Sequence, residues 1–107
     1  MNKLPLARPT WVEIDLDAVE HNVHITRNIV GDAVKLYGVC KADAMGCGLI
    51  TIAQTLADAG IDGLAVSDPT DVLKLRAADI KVPILLFAST LPEQAADIAT
   101  AMVEANP

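Results

Sequence analysis

The fold is decided by residues 36–48, LYGVCKADAMGCG. The first five of these, residues 36–40, form an apolar run without polar alternation, which is typical of a parallel strand covered on both faces. A turn with two glycines follows, and apolar residues then recur at helical spacing over residues 49–57 until Gly60, where a helix would end. The stretch therefore predicts a strand, a turn and a helix in succession.

Two further strand and helix pairs follow towards the carboxyl end. Residues 63–67 predict a buried strand, and Asp68-Pro69 supplies an N-cap and a first-turn proline for the next helix. Residues 82–88 predict a third buried strand, and a last helix begins near Pro92. The apolar face of that last helix is predicted to contain Ala95, Ile98, Ala99 and Met102.

A leading strand and helix are predicted before this region. Residues 10–16 alternate between apolar and polar side chains, which is the pattern of a half-buried strand. Asp17 has the character of an N-cap, and Glu20 three residues later completes a variant of the capping box. Apolar residues then continue at helical spacing until Gly31, so a first helix is expected between Asp17 and Gly31.

Strict alternation of strands and helices requires right-handed parallel crossovers, so the fold class is α/β. The 107 residues form a single segment without a repeat or a linker. A closed eight-stranded barrel takes about 250 residues. We therefore expect either a small open sheet or part of something larger.

Composition limits the possible partners. Hydrophobic residues make up 52% of the chain but only Trp11, Tyr37 and Phe87 are aromatic, so an aliphatic core is expected. The net charge of -6, without a basic cluster, argues against nucleic acid and against an acidic membrane surface. The longest apolar stretch, residues 82–88, falls short of the ~20 residues that cross a bilayer. With no secretory leader at the amino end, we expect a cytoplasmic protein.

Lys41 is the leading candidate for chemistry, because it follows a predicted parallel strand and ligands gather at the carboxyl ends of such strands. On position alone, a solvated strand end neutralised by Asp43 is the favoured interpretation, and a chemical role is the alternative. Gly46 and Gly48 give the turn backbone freedom, which serves either an anion cradle or the turn geometry itself.

Other candidates are weaker. His21 and His24 lie three apart and could offer two metal ligands, but no third ligand is apparent, so an exposed polar face is favoured and no metal site is predicted. Tyr37 is expected to pack inside its strand. The spacing of the two cysteines matches neither a CxxC pair nor a zinc ribbon, and both are expected to be reduced packing residues. The strand-end serines are expected to form hydrogen bonds; they are Ser67 and Ser89.

Taken in order, four segments resemble the amino-terminal part of alanine racemases. They are residues 9–23 (PTWVEIDLDAVEHNV), 41–48 (KADAMGCG), 75–76 (LR) and 83–86 (PILL). The resemblance implies a partial TIM-type (β/α) barrel of parallel strands and crossover helices, with the leading strand pairing with a carboxy-terminal β-domain. Residues 1–107 would then be the amino-terminal part of a barrel domain that binds pyridoxal phosphate.

The resemblance also implies an activity and site residues. Lys41 would hold pyridoxal 5'-phosphate as a Schiff base, and Met45 lies at a cofactor-binding position where the family usually has a tyrosine that helps to hold the phosphate. The implied activity is a racemase that interconverts L-alanine and D-alanine for cell-wall synthesis. Its homodimer would provide the second acid/base from a partner subunit, and the present segment would be a truncated one, inactive alone.

Three departures from the family pattern leave alternatives open. Met45 cannot donate a hydrogen bond. Cys47 replaces a common histidine, and Asp79 stands where glycine is usual, which predicts a strained turn there. A non-catalytic or degenerate paralogue that still binds the cofactor is one alternative, and a small α/β interaction domain without a cofactor is another.

Overall fold

The computed structural model describes residues 10–87 and 91–103. Three short strands alternate with helices along the chain. In order, the elements are α1 (Leu16–Val30), β1 (Tyr37–Val39), α2 (Lys41–Met45), α3 (Leu49–Asp58), β2 (Gly63–Val66), α4 (Pro69–Ala77), β3 (Ile84–Leu86) and α5 (Pro92–Val103). The predicted succession of strands and helices from residue 36 onwards is confirmed.

The three strands form a parallel sheet in the order β1-β2-β3. Val39 pairs with Ala65, and Ala65 pairs with Leu85. Because neighbouring strands are also consecutive in the chain, right-handed crossovers place every connecting helix on the same side of the sheet. In line with this, α1 packs on α3, α3 on α4 and α4 on α5. This is the arrangement of a (β/α) barrel segment, so the predicted partial barrel is confirmed.

The helices bury one face of the sheet and leave the other open. Leu64 and Val66 are fully buried on the helix side, and a Cβ added at Gly38 would meet the side chain of Leu56 in α3. The opposite face, here called the open face, has large apolar side chains that remain substantially exposed: Tyr37 (39%), Val39 (50%), Leu85 (52%) and Phe87 (46%).

The prediction that residues 36–40 are covered on both faces, with Tyr37 packed inside, is therefore wrong for the open face. The physical reason is the strand order, since all crossovers pass on one side and the described residues place nothing over the other side. The core itself is aliphatic, as predicted. Its largest fully buried members are Leu64, Leu75, Val66, Val72 and Cys40.

The predicted leading strand is absent from the structure. Residues 10–15 form no strand, and their side chains are exposed. An isolated strand leaves its backbone N–H and C=O groups without partners, and the described residues place no neighbouring strand beside this segment. Helix α1 begins two residues earlier than expected, because the Asp15 carboxylate caps it by accepting the Ala18 N–H at 3.1 Å. The predicted N-cap, Asp17, lies inside the first turn instead.

Other predicted helix ends are confirmed. Gly31 ends α1 with a φ of 79°, and Asp68 caps α4 by accepting the Thr70 N–H at 2.9 Å. After α4, Asp79 has a φ of 63°, which agrees with the predicted strained turn.

The predicted apolar face of α5 is only partly right. Ile98 is buried as expected, but Ala95 and Ala99 are exposed, and Ala101 is buried in their place. The side chain of Met102 lies outside the described residues. The same holds for Ser89 and for the end of the third predicted strand at Ala88.

Candidate active site

Lys41 lies at the carboxyl edge of the sheet. The Cys40 N–H donates to the Ala65 carbonyl at 2.8 Å, which extends the pairing of β1 with β2 by one residue and fixes the chain immediately before Lys41. The Lys41 side chain is exposed, and among residues 10–87 and 91–103 its amine has no hydrogen bond and no ion pair. The alternative in which Asp43 neutralises Lys41 is therefore wrong.

The residues after Lys41 form a left-handed helical turn. Ala42, Asp43, Ala44 and Met45 have φ values of 54°, 57°, 54° and 59°. A left-handed residue other than glycine costs about 1–2 kcal/mol, so four in a row store roughly 4–8 kcal/mol. Strain of this size persists only where the surroundings hold it, and it is concentrated at functional sites.

A ladder of short hydrogen bonds holds this turn. The Ala44 N–H donates to the Cys40 carbonyl at 3.0 Å and the Gly46 N–H to the Ala42 carbonyl at 2.9 Å. Buried Ala44 fastens the middle of the turn to the core. The turn is therefore rigidly attached to the end of β1, directly beside Lys41.

Asp43 connects the turn to α3. Its carbonyl accepts the Gly48 N–H at 3.0 Å, and its carboxylate oxygen Oδ1 accepts the Leu49 N–H at 2.8 Å. The Cys47 N–H is also taken, by the Ala44 carbonyl. Every backbone N–H from Gly46 to Leu49 is thus used inside the turn. The two glycines, with φ values of 82° and 97°, serve the turn geometry and not an anion cradle.

A buried carboxyl group lies behind the turn. Asp71, in the first turn of α4, is buried, and its pKa is raised by burial and by the charge of Asp68, with a smaller contribution from Asp43. Burial, together with the charge of Asp71, raises the pKa of the Cys40 thiol to about 11. Cys40 therefore stays protonated and packs in the core, as predicted. No sequence signal marks Asp71, since an acidic residue early in a helix is ordinary.

The remaining candidates are dispersed. Met45 belongs to the same left-handed turn as Lys41 and is 62% exposed. His21 and His24 are exposed on α1. In the described parts of the chain, no three His, Cys, Asp or Glu residues are placed to hold a metal ion. No helix there is both long and apolar enough to span a bilayer.

Two surface grooves lie away from Lys41. One, of about 330 Å³, lies between α1 and the β1 edge of the sheet and includes Tyr37 in its lining. The other, of about 180 Å³, lies between α4 and α5 and is lined by acidic Glu93 and Asp97 beside apolar Leu73. Neither contains the candidate lysine.

Parallel strands in chain order, described helices that all lie on one side of the sheet and an exposed lysine after the first strand define the chain as a segment of the (β/α)-barrel class. Residues 14–105 match the family model described as "Alanine racemase, N-terminal domain". The chain therefore belongs to the alanine racemase family, and the resemblance seen in its motifs is confirmed.

Individual relatives of this chain are alanine racemases as well. The chain is 45% identical over 94 residues to alanine racemase of Halothermothrix orenii and 42% identical over 97 residues to that of Nostoc sp.. These matches cover 88% and 90% of the chain but 24% and 25% of the relatives. The chain thus spans about a quarter of the length of the curated relatives it matches.

Solved structures show the same relationship. Alanine racemase of Clostridium difficile superimposes with a TM-score of 0.83 at 34% identity, covering 91% of this chain and 26% of that one. The Bacillus anthracis enzyme, solved with bound L-Ala-P, gives a TM-score of 0.79 at 35% identity, covering 89% of this chain and 25% of that one.

Proposed function

We propose that this chain forms the lysine-bearing part of a pyridoxal-phosphate-dependent racemase that interconverts L-alanine and D-alanine for cell-wall synthesis. The observation that carries the proposal is Lys41, an exposed amine without a partner among the described residues, fixed at the carboxyl end of β1 by a strained turn. The position lies inside the matched region, residues 14–105. We further propose that residues 1–107 belong to a barrel domain, that the complete protein is a homodimer and that it acts in the cytoplasm, as the resemblance implies.

The described residues around Lys41 can hold the aldehyde end of the cofactor but offer no free donor for its phosphate. A covalent link to the aldehyde needs an accessible amine, and the exposed Lys41 amine provides it. The phosphate needs hydrogen-bond donors, but the backbone donors from Gly46 to Leu49 are already used and Met45 offers none. In this proposal, therefore, Lys41 binds the aldehyde carbon, and groups outside the turn hold the phosphate.

The chemistry divides between the cofactor and the chain. When bound, pyridoxal phosphate supplies an electron sink for the charge left when the substrate's α-proton is removed. Lys41 would have two tasks, to hold the cofactor through Nζ while no substrate is bound and to carry the substrate's α-proton on the same atom during the reaction. A flexible four-carbon stem on a rigid turn suits both tasks, because the amine can move while its Cα stays fixed.

The open face places apolar side chains next to the carboxyl edge of the sheet, where Lys41 lies. Phe87 follows β3 and its N–H donates to the Val66 carbonyl at 3.1 Å, so it ends its strand as Cys40 ends β1. Adjacent strands lie about 4.8 Å apart, which places the ends of β1 and β3 about 10 Å from each other. Apolar side chains there would exclude water from the reacting centre. We propose that the opposing acid/base comes from the partner subunit.

The test of this proposal is covalent trapping. We expect that pyridoxal phosphate followed by borohydride leaves a stable phosphopyridoxyl group on Lys41, in clear excess over Lys35, Lys74 and Lys81, when the digested chain is analysed by mass spectrometry. These three lysines are internal references in the same molecule. Lys41→Arg should abolish the excess while leaving the reference lysines unchanged. Equal modification of Lys41 and the three reference lysines would refute the proposal.

A second candidate function is cofactor binding without catalysis. Exposed Met45 favours it, because the thioether replaces a hydroxyl that the resemblance assigns to the phosphate. Formation of D-alanine from L-alanine by the homodimeric protein supports racemisation over this candidate. We expect Met45→Tyr to lower the Kd for pyridoxal phosphate. An unchanged Kd would show that the missing hydroxyl is irrelevant.

A further inference from the structure

We propose that Asp43 is the positioning residue of Lys41, because its carboxylate fastens the left-handed turn to the amino end of α3. The inference rests on the proposed function of Lys41 and adds a residue through which that lysine is kept in place. A single residue separates Lys41 from Asp43, and both belong to α2. Asp43 acts through the backbone and does not contact the reacting atoms.

The contact of Asp43 with α3 replaces an ordinary helix cap. The first N–H groups of a helix lack partners inside the helix, and a side chain at the N-cap usually accepts one of them. The N-cap of α3 is Gly48, which has no side chain. Asp43, five residues earlier, accepts the Leu49 N–H at 2.8 Å instead, and its negative charge suits the positive end of the helix dipole.

The same residue also closes the turn through its backbone. The Asp43 carbonyl accepts the Gly48 N–H at 3.0 Å, and Leu49 itself is buried in the core. The carboxylate and the carbonyl together form a two-point clamp on the start of α3. The clamp fixes Asp43 in a left-handed conformation, which a residue other than glycine rarely adopts.

Lys41 is consequently held from both sides. On one side, the Cys40 N–H bonds to Ala65 in the neighbouring strand at 2.8 Å. On the other side, the Asp43 clamp prevents the strained turn from relaxing towards right-handed backbone angles. Without the clamp, the Cα of Lys41 would take several positions. Covalent chemistry depends steeply on the placement of the reacting groups, so looser placement lowers the rate at which Lys41 reacts.

The experiment compares two substitutions in the full 107-residue chain. Asp43→Asn keeps an oxygen acceptor at the same place, whereas Asp43→Ala removes it. We expect Asp43→Ala to lower the rate of pyridoxal phosphate trapping at Lys41, relative to Lys35 and Lys74, by about fivefold, the change expected for the loss of one capping hydrogen bond. Asp43→Asn should stay within about twofold of the parent.

A matched control separates positioning from general loss of stability. Asp15 also caps a helix with its carboxylate, on α1. Asp15→Ala should lower the urea midpoint by a similar amount. It should leave the rate of trapping at Lys41, relative to Lys35 and Lys74, unchanged. Amide hydrogen exchange adds a readout independent of the cofactor, because the Leu49 N–H should exchange faster in Asp43→Ala and remain protected in Asp43→Asn.

The outcomes are distinct. A parent chain without any preference for Lys41 would refute the proposed function, and this inference with it. If the parent chain shows preferential trapping at Lys41 and Asp43→Ala retains all of it, only the positioning role of Asp43 is overturned. Equal losses in Asp43→Ala and Asp15→Ala would overturn it as well, because the effect would then follow stability. A loss confined to Asp43→Ala, with faster Leu49 exchange, supports the proposal.

Discussion

Both faces of the three-stranded sheet are apolar, yet the residues that the structure describes cover only one of them. Leu64 and Val66 are fully buried beneath the helices, whereas Val39 and Leu85 on the open face remain about half exposed. The difference does not come from side-chain chemistry. It comes from strand order, since consecutive parallel strands send all their crossovers to one side. The open face therefore has the apolar side chains of a barrel interior, and Lys41 lies at its carboxyl edge.

The largest expected effect compares one leucine on each face. Leu64→Ala should lower the free energy of unfolding by about 2–5 kcal/mol, because it leaves a cavity in a fully packed site. Leu85→Ala removes the same atoms from a half-exposed position and should cost about 1 kcal/mol or less. Urea denaturation of both variants measures the difference. Equal losses would show that the open face is covered in solution.

A smaller effect is expected at a single strand position. A Cβ at Gly38 would lie 2.6 Å from Leu56 Cδ1 on the packed face, so Gly38→Ala should destabilise the chain by about 1–3 kcal/mol through overpacking. Val39→Ala, the neighbouring substitution on the open face, is the control and should cost less. Thermal unfolding of the pair provides the measurement. A greater loss for Val39→Ala would reverse the assignment of the two faces.

The smallest expected effect concerns Asp71, the buried carboxyl group in the first turn of α4. Burial and the charge of Asp68 raise the pKa of Asp71 above its ordinary value of 3.8. The folded chain thus binds this proton more tightly than the unfolded chain, and the resulting stability is lost as the pH rises through the raised pKa. Asp71→Asn cannot ionise and should be slightly more stable than the parent at pH 7.

The free energy of unfolding, measured as a function of pH, tests the direction of this pKa shift. The advantage of Asp71→Asn should shrink as the pH falls, and should disappear below the ordinary carboxyl pKa of 3.8. Asp17→Asn, on an exposed side chain of α1, is the matched control. An advantage that grows on acidification would contradict the assigned direction of the pKa shift.

The sequence predicted the parts of this fold that local chemistry decides. Gly31 ends a helix because it accepts a positive φ, and Asp68-Pro69 starts one because a carboxylate cap and a fixed proline φ agree. Lys41 was singled out by its position after an apolar run, and its role in the proposed function comes from the resemblance of the motif around it. Each of these signals lies within a few residues of the feature that it predicts.

The features that the sequence did not predict depend on distant partners. Residues 10–15 have the alternation of a strand, but a strand needs a neighbour and the described chain offers none. The left-handed turn has no local signal, since alanine and methionine normally avoid positive φ, and it exists because Asp43 bonds to Leu49 and Ala44 packs into the core. The open face likewise follows from strand order, which no single strand encodes.

The most direct test of the account is a crystal structure of the chain grown with pyridoxal phosphate. We expect continuous electron density between Nζ of Lys41 and the aldehyde carbon of the cofactor, with residues 42–45 still in the left-handed turn. Density that joins the cofactor to another lysine, or a cofactor bound without any link to Lys41, would contradict the claim that Lys41 is the chemical centre of this protein.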